Sequence, residues 1–480
     1  MLAISGRSVT MRSSFFGMEI MRRSLQTQRV GLEVTAHNIA NANTPGYSRQ
    51  VVNLKASSPF PYPSANYHGT GQLGTGVDVS EVKRMRNDFV EAQIRKETQS
   101  LGYWNTVGRN IWQVEMIINE PSENGLSASL QRYWESWQML AGEAEDGGHR
   151  APVAQRANEL AATFRHTRDQ LVSLKKDTDD TIGVKADQIN GLARELAAVN
   201  KQISRVDLMD QEPNDLLDRR DQILRDLSNI TNISVIDGRQ QTVTVQINGT
   251  SLVDFDTINE IEIIKPKSKD EVTRLVWSKG KSPVTFNGGE IKGLVETRDD
   301  LLTQNLKNLD TMAKALIDAT NAIHRDGFGL DNTTGLSFFD ADSTDASNIK
   351  VSEAILQNPS KIAASTRINA PGNGDNALAI AEILNMPLLN GNTTTINAFL
   401  DGMVAKLGVQ GQEAIRTIDN QETLVHYLNI EQNQYTSVSL DEEMANMMKY
   451  QHAYNAAARM VSTLDDALDT IISRMGIVGR

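Results

Sequence analysis

The chain contains no cysteine, which removes disulfides, thiolate metal sites and cysteine nucleophiles and fits an exported protein as readily as a reduced one. It is also short of positive charge. Its 48 Lys and Arg face 60 Asp and Glu, for a net charge of -12, so electrostatics oppose a sequence-independent grip on phosphate backbones or anionic membranes. No run of about 18 uninterrupted apolar residues occurs, so no segment reads as a bilayer-spanning helix. Met1 to Ser14 lack both a continuous apolar stretch and a small-residue cleavage pattern, and a cleaved secretory signal is not expected. Met1 to Thr10 show no clear period, so Met11, which opens the stretch leading into the first periodic segment, reads as the natural start. The seven histidines are scattered singly, with no pair at metal-ligand spacing. What remains is a chain of 480 residues, about three domains at roughly 150 residues each.

Helical periodicity dominates. From Phe15 to Ala42, Met18, Met21, Leu25, Leu32 and Ile39 follow alternating steps of three and four, with Gln28 and Thr35 in the gaps, which predicts one amphipathic helix. It should end at Asn41 and Asn43, before Thr44-Pro45-Gly46 forms a type II turn. Helix returns near Asp88 and runs, with breaks at Pro121 and Gly147-Gly148, to Val206, then from Asp215 to Leu227. Val243, Val245 and Ile247 alternate with polar residues ahead of Asn248-Gly249, a hairpin signal. Helix resumes over 291–323 and 394–433, around a Gly-, Asn- and Asp-rich passage from Gly327 to Asp375. A last stripe runs through Met444, Met447, Met448, Tyr454, Ala458, Val461, Leu464, Leu468, Ile471, Ile472 and Met475.

The expected fold is mainly α with a β insert. Residues 14–60 and 437–480 should form a terminal helical domain, its two helices pairing as a coiled-coil-like layer. Residues 61–232, 291–327 and 376–436 should form a helical bundle, with 233–290 an inserted β domain, 328–375 irregular and 1–13 an extra leader. Residues 1–50 carry six Arg against two Glu, whereas 438–480 carry six acidic and four basic residues, so pairing of the two ends is electrostatically permitted. Neither end helix is stable alone in water with its stripe uncovered. The cover is the other end of the chain, neighbouring subunits, or both.

Sequence patterns that suggest chemistry are weak. Gly69-Thr-Gly71-Gln-Leu-Gly74 matches a dinucleotide pattern by letters, without a strand before it or a helix after it. Gly280-Lys281-Ser282 lacks the leading glycine of a phosphate loop, because position 275 is Leu. Asp340, Asp342 and Asp345 could offer oxygens to a hard cation, but Asp345 stands where a calcium loop needs Gly and Val351 where it needs Glu. His324-Arg325-Asp326 has three letters of a kinase loop and reads as a helix end. Asp215, Asp218 and Asp221 beside Arg219 and Arg220 read as neighbours pairing along a helix surface.

Asn38-Ile-Ala-Asn41-Ala-Asn43-Thr44-Pro45-Gly46-Tyr47-Ser48-Arg49-Gln50 resembles the N-terminal signature of the bacterial flagellar rod, hook and hook-associated family. The continuation through Gly74-Thr-Gly76-Val77-Asp78-Val79, Arg84, Asp88 and Gln93 is similar too. At the other end, Val438-Ser-Leu440-Asp441-Glu442-Glu443-Met444, Tyr450-Gln451-His-Ala-Tyr454 and Ser462-Thr463-Leu464-Asp465 with Leu468 resemble the family's C-terminal helix. Asn214-Asp215-Leu216-Leu217-Asp218-Arg219-Arg220-Asp221 resembles a helical motif of the hook-associated members rather than of hook or rod subunits.

The resemblance implies a structural protein of the junction zone between hook and filament, without catalytic activity, metal or cofactor. It implies secretion through the flagellar type III route without a cleaved signal, to an extracellular place in the flagellum. The implied partners are the flagellar hook protein, hook-associated protein 3, a flagellar export chaperone and further copies of this chain in a ring or helical tube; no nucleic acid and no membrane insertion are implied. The expected assembly interface is Met18, Met21, Leu25, Leu32, Ile39, Asn41, Pro45, Gly46 and Tyr47 with Met444, Met447, Tyr454, Val461, Leu464, Leu468 and Ile472. The expected chaperone surface is Met444, Met448, Tyr454, Val461, Leu464 and Leu468. Other readings are a hook or rod subunit, a cytosolic coiled-coil adaptor, or a metal-dependent enzyme using the 340–345 carboxylates.

Overall fold

The computed structural model describes residues 15–60, 72–265 and 271–474. The leader with Met1 and Met11, the glycines Gly69 and Gly71, and Met475 lie outside the described residues. The first helix, α1 (Phe16–Asn41), stops where the Asn-rich segment meets Pro45. There Tyr47 N–H donates to the Thr44 carbonyl at 3.2 Å and Gly46 takes φ +80°, the left-handed geometry that a type II turn requires of its third residue. The turn feeds β1 (Gln50–Ala56), which pairs antiparallel with β2 (Val77–Arg84), Gln50 opposite Arg84.

Four helices follow: α2 (Asp88–Ile118), α3 (Leu126–Gly142), α4 (Gly147–Asp207) and α5 (Asn214–Ile230). The Asn87 carboxamide caps α2 by accepting from the N–H groups of Phe89 and Val90. The change of period then produces strands: β3 (Ser234–Asp237), β4 (Val243–Ile247), β5 (Thr250–Asp254) and β6 (Thr257–Ile258) form one antiparallel meander, and β7 (Ile261–Ile264) pairs with β8 (Arg274–Trp277). Asn248 and Gly249 turn β4 into β5 with φ of +47° and +81°, the two positive values of a type I′ hairpin. Helix resumes in α6 (Gly289–Glu296), continues through a π-helical segment (Thr297–Leu302) and becomes α7 (Thr303–Asp326). The short α8 (Glu353–Gln357) and α9 (Asp375–Ala381) precede the long α10 (Ile396–Thr436) and α11 (Leu440–Arg474).

Helix α4 is 61 residues long, about 90 Å at 1.5 Å per residue, and two hydrophobic cores are built along it. Its first half gives Val153, Leu160, Phe164 and Leu171 to a core shared with α3, α7, α9 and the start of α10. The 327–375 passage has little regular structure yet supplies Phe338, Phe339, Ile349 and Ile362 to the same core, with the Phe338 ring 5.0 Å from that of Trp137. The second half gives Ile182, Ile189, Leu196 and Ile203 to a core closed by α5, α6 and the strands. Two buried asparagines of α4 act as surrogate strand edges there. Asn200 exchanges hydrogen bonds with the N–H and C=O of Val243, and Asn190 does the same with Ile261, so both backbone groups are satisfied against a helix that could not otherwise pair with a strand.

The chain ends come together. Gly17 lies against Leu464, Gly31 against Tyr450, and Asn38 within 3.1 Å of Glu443, so α1 and α11 run antiparallel. The buried face of α1 is Thr27, Gly31, Thr35 and Asn38. A Cβ at Gly31 would sit 2.8 Å from the Tyr450 ring, so the absent side chain is what lets the two helices approach this closely. The large apolar residues Met18, Met21, Leu25, Leu32 and Ile39 stand one position round from that seam and are half-buried.

Candidate assembly interface

A polar hub joins the terminal helix pair to the body, and the sequence signature is its substance. Asn38 accepts from the backbone N–H of Gln50 at 2.9 Å and donates to the Gln50 carbonyl at 2.9 Å, holding the entry to β1 against α1. Tyr47 Oη donates to Asn38 Oδ1 at 2.7 Å. Burial, with Asp215, Asp218 and Glu443 nearby, raises the Tyr47 phenol well above its ordinary value, so it stays a donor. Across the seam, Glu443 is 2% exposed and accepts from Asn38 Nδ2 at 3.1 Å and from Arg49 Nε at 2.9 Å, with Arg49 Nη2 ion-paired at 2.8 Å. Arg49 also reaches Glu442 at 3.0 Å, and its backbone N–H donates to the carbonyl of Thr436, the last residue of α10.

The hub continues into α5. Asp218 accepts from both the N–H and the hydroxyl of Ser48, at 2.8 and 2.7 Å, and from Arg84 at 3.0 Å. Asp221 accepts from Arg84 at 2.6 Å and lies 3.3 Å from Arg86 Nε. Glu91 receives both arms of Arg225 at 2.6 Å and Arg86 at 2.6 Å. Burial works to raise all three carboxyls. For Asp218 burial wins and the value is raised; for Asp221 and Glu91 the surrounding guanidiniums outweigh it and the values are lowered. The expected pairing of Asp215, Asp218 and Asp221 with Arg219 and Arg220 along a helix surface is met only by Arg220 and Asp221, which lie 3.2 Å apart, and that carboxylate is buried rather than solvated. Asp218 and Asp221 are buried and bonded to β2 and the segment after it, Arg219 turns to Glu195 on α4, and Asp215 stays exposed while accepting from Gln50 Nε2 at 2.8 Å. The reason is that the body packs on the face of α5 carrying 218 and 221.

The expected interface residues fall into distinct places. Of the α11 set, Met447, Val461, Leu464 and Leu468 are half-buried, with Leu464 packed on Gly17 of α1, whereas Met444, Met448, Tyr454, Ile471 and Ile472 are exposed. Asn41 and Tyr47 are half-buried at the hub, and Pro45 and Gly46 are exposed on its turn. Met444 and Met448 are each about half exposed, and with Leu440 one turn before them they leave an apolar strip uncovered. Further exposed apolar side chains that periodicity did not single out are Val409, Ile415 and Tyr427 on α10 and Trp112 and Met116 on α2. The roles of Asn38, Ser48, Gln50, Asp218 and Glu443 were also missed, although all belong to quoted motifs; a buried role is signalled only by polar residues recurring on the inward phase of their helices.

The remaining motifs are structural in their contacts. Gly280 and Lys281 form the turn after β8. His324 at the end of α7 is 1% exposed; its Nδ1 donates to the Leu336 carbonyl at 2.8 Å and its Nε2 accepts from Ala363 N–H at 2.9 Å. Asp340 and Asp345 accept from backbone N–H groups of their own loop, those of Asp342 and Ser347. Among the described residues, the group of His and carboxylate ligand atoms that converges is Glu143, Asp146 and His149, all at the surface end of α3 and the start of α4. No described helix is long and apolar enough to cross a membrane.

A chain whose first and last helices pair beside a body of long helices, with the family signature locking the pair in place, is of the flagellar axial class. Family models agree at both ends: one described as "Flagella basal body rod protein" matches residues 18–47, and one described as "Flagellar basal body rod FlgEFG protein C-terminal" matches 435–474. A model described as "Flagellar hook-associated protein FlgK helical domain" matches 111–339. Flagellar hook-associated protein 1 of Bacillus subtilis is 33% identical over 98% of this chain and 100% of its own length. That of Escherichia coli is 24% identical over 94% and 98% of the two chains, and that of Salmonella typhimurium 30% over 72% and 63%. The solved flagellar hook junction protein FlgK from Burkholderia pseudomallei shares the fold, with a TM-score of 0.64 at 15% identity over 72% of this chain and all of its own. The chain therefore belongs to the flagellar hook-associated protein 1 family.

Proposed function

We propose that this protein is a structural subunit of the junction between flagellar hook and filament, built into the axial tube through the α1 and α11 pair and without enzymatic activity. The observation that carries the reading is the asymmetry of that pair. Its inner seam is satisfied within the chain, while Met444, Met448, Ile471 and Ile472 remain exposed, which is apolar area that stacked neighbours would cover. Such neighbours are further copies of this chain, the hook protein on one side and hook-associated protein 3 on the other. Methionine adapts to irregular surfaces, which suits contacts with two different partners. An export chaperone would hold the same α11 surface before secretion, so chaperone and tube neighbours compete for it. The route is flagellar type III export and the destination is extracellular.

Met448→Asp tests the reading better than a change at Leu464, because Leu464 packs on α1 within the chain. The variant should keep wild-type circular dichroism and thermal midpoint yet leave cells with hooks that lack filaments and shed flagellin into the medium. Filaments attached normally in Met448→Asp cells would refute the interface. Deletion of the gene separates this reading from a hook or rod subunit: hooks persist here and are absent there.

A further inference from the structure

On one side of the α2–α10 pair, a cleft of about 490 Å³ opens between these two helices and the π-helical segment that leads into α7. Half-buried Tyr103 and Trp104 line it, their rings edge to face with centroids 5.2 Å apart. Two of its carboxylates are neutralised within the chain, Glu296 by Lys292 at 2.8 Å and Asp299 by Arg298 at 2.8 Å. Asp300 and Glu413 are exposed and have no ion pair among the described residues, and the one lining amine, Lys406, can offset only one of them. Thr297 in the same wall is 2% exposed, and its hydroxyl has no hydrogen-bond partner. Aromatic rings beside an uncompensated carboxylate suit a guanidinium, which stacks on the rings while its fork donates to the oxygens.

The far side of α2 carries the complement. Val107 lines the cleft, and Arg109, two residues on, is turned roughly 200° away from it around the helix. Arg109 is exposed and has no ion pair among the described residues. Trp112 and Met116, at i+3 and i+7 on the same face as Arg109, are 59% and 63% exposed. We propose that the cleft is a socket for a second copy of this chain, in which Arg109 of one copy reaches Asp300 and Glu413 of the next while Trp112 and Met116 cover the rim. A ridge and its socket on opposite sides of one helix make a heterologous contact, which repeats from copy to copy and closes into a ring or winds into a helix. It is a body-to-body contact, separate from the exposed surface of α11. The inference rests on the junction reading, which supplies copies standing side by side.

The chain has no cysteine of its own, so introduced cysteines report the contact without background. In hooks isolated with their filaments from cells expressing the full-length double variant Arg109→Cys/Glu413→Cys, a short bismaleimide should link copies into a ladder of dimers, trimers and larger species. Each single variant should stay monomeric. Dimers from either single variant alone would reveal a symmetric contact and overturn the proposal. Arg109→Glu sets like charges against each other and should lower several-fold the fraction of cells that keep filaments under shear, with circular dichroism unchanged; adding Glu413→Arg should restore it. Equal retention in Arg109→Glu and wild-type cells overturns the proposal. A maleimide–succinimide reagent on Glu413→Cys chains tests other occupants: conjugates with the hook protein or hook-associated protein 3, and none with a second copy, also overturn it. Wild-type chain missing from isolated hooks defeats the junction reading and this inference with it. Double-variant chain present in filament-bearing hooks without a ladder defeats this inference alone.

Discussion

Removing Glu443 tests whether the hub, rather than the helix seam, fixes α11. Its carboxylate is almost fully buried and takes two hydrogen bonds, one from Asn38 and one from Arg49 Nε, with Arg49 Nη2 a further 2.8 Å ion-pair contact. Glu443→Ala leaves both donors without it. Taking one partner out of a buried charge pair costs about 3–5 kcal/mol, but Arg49 is 23% exposed and keeps Glu442 at 3.0 Å, so the lower end, about 3 kcal/mol, is expected. The loss should be local, appearing as faster hydrogen exchange along α11 and α1 with the amides of α4 unchanged. Arg49→Gln alone should cost less, about 1–2 kcal/mol, and the double variant should cost little more than Glu443→Ala. A cycle of the four proteins isolates that coupling. Exchange in α11 within about 0.5 kcal/mol of wild type for Glu443→Ala, or strictly additive single variants, would show that the hub does not hold the helix.

Gly31→Leu should separate the helix pair: a Cβ alone would meet Tyr450 at 2.8 Å, so overpacking of about 1–3 kcal/mol outweighs the gain of up to about 1 kcal/mol from leaving glycine. Unchanged protease resistance of α1 and α11 would contradict this. His324 is held neutral by burial, its value lowered to about 4. The unfolded side chain gains a proton below its usual value near 6.5 while the folded one does not, so stability should fall by about 2 kcal/mol between pH 7 and pH 5. Urea midpoints at the two pH values, compared with those of His324→Gln, check it; an equal drop in both proteins removes His324 as the cause. Trp137→Ala should cost about 3–5 kcal/mol by opening a cavity beside Phe338 and Tyr133, measurable as a lower denaturant midpoint for the first core alone.

Periodicity located the long helices because their apolar faces repeat with a single phase, and Asn248-Gly249 marked its hairpin because few residues tolerate two successive positive φ values. What periodicity misjudged was the centre of the α1 seam. The eye follows Met18, Leu25 and Leu32, but the closest approach runs along Gly31, Thr35 and Asn38, where small and polar side chains admit the partner backbone. The interior role of 327–375 was hidden for a related reason. Phe338, Phe339 and Ile349 enter the core from irregular chain, so no period announces them. The signature from Asn38 to Gln50 was legible as a motif, but its mechanics depend on Glu443, about 400 positions away, and on Asp218 of α5, a convergence that spacing does not encode.

The unbroken run of α4 past both cores has a mechanical consequence. Where two domains hang on a flexible linker, a twisting load is absorbed by rotation about a few soft backbone angles. Here such a load passes into a single rod whose consecutive peptide bonds are cross-braced every turn, with side chains of each core clamped to its flanks. Torque applied to the sheet-bearing end is thus delivered to the aromatic-rich end with little lost in between, a property suited to any component of a spinning shaft.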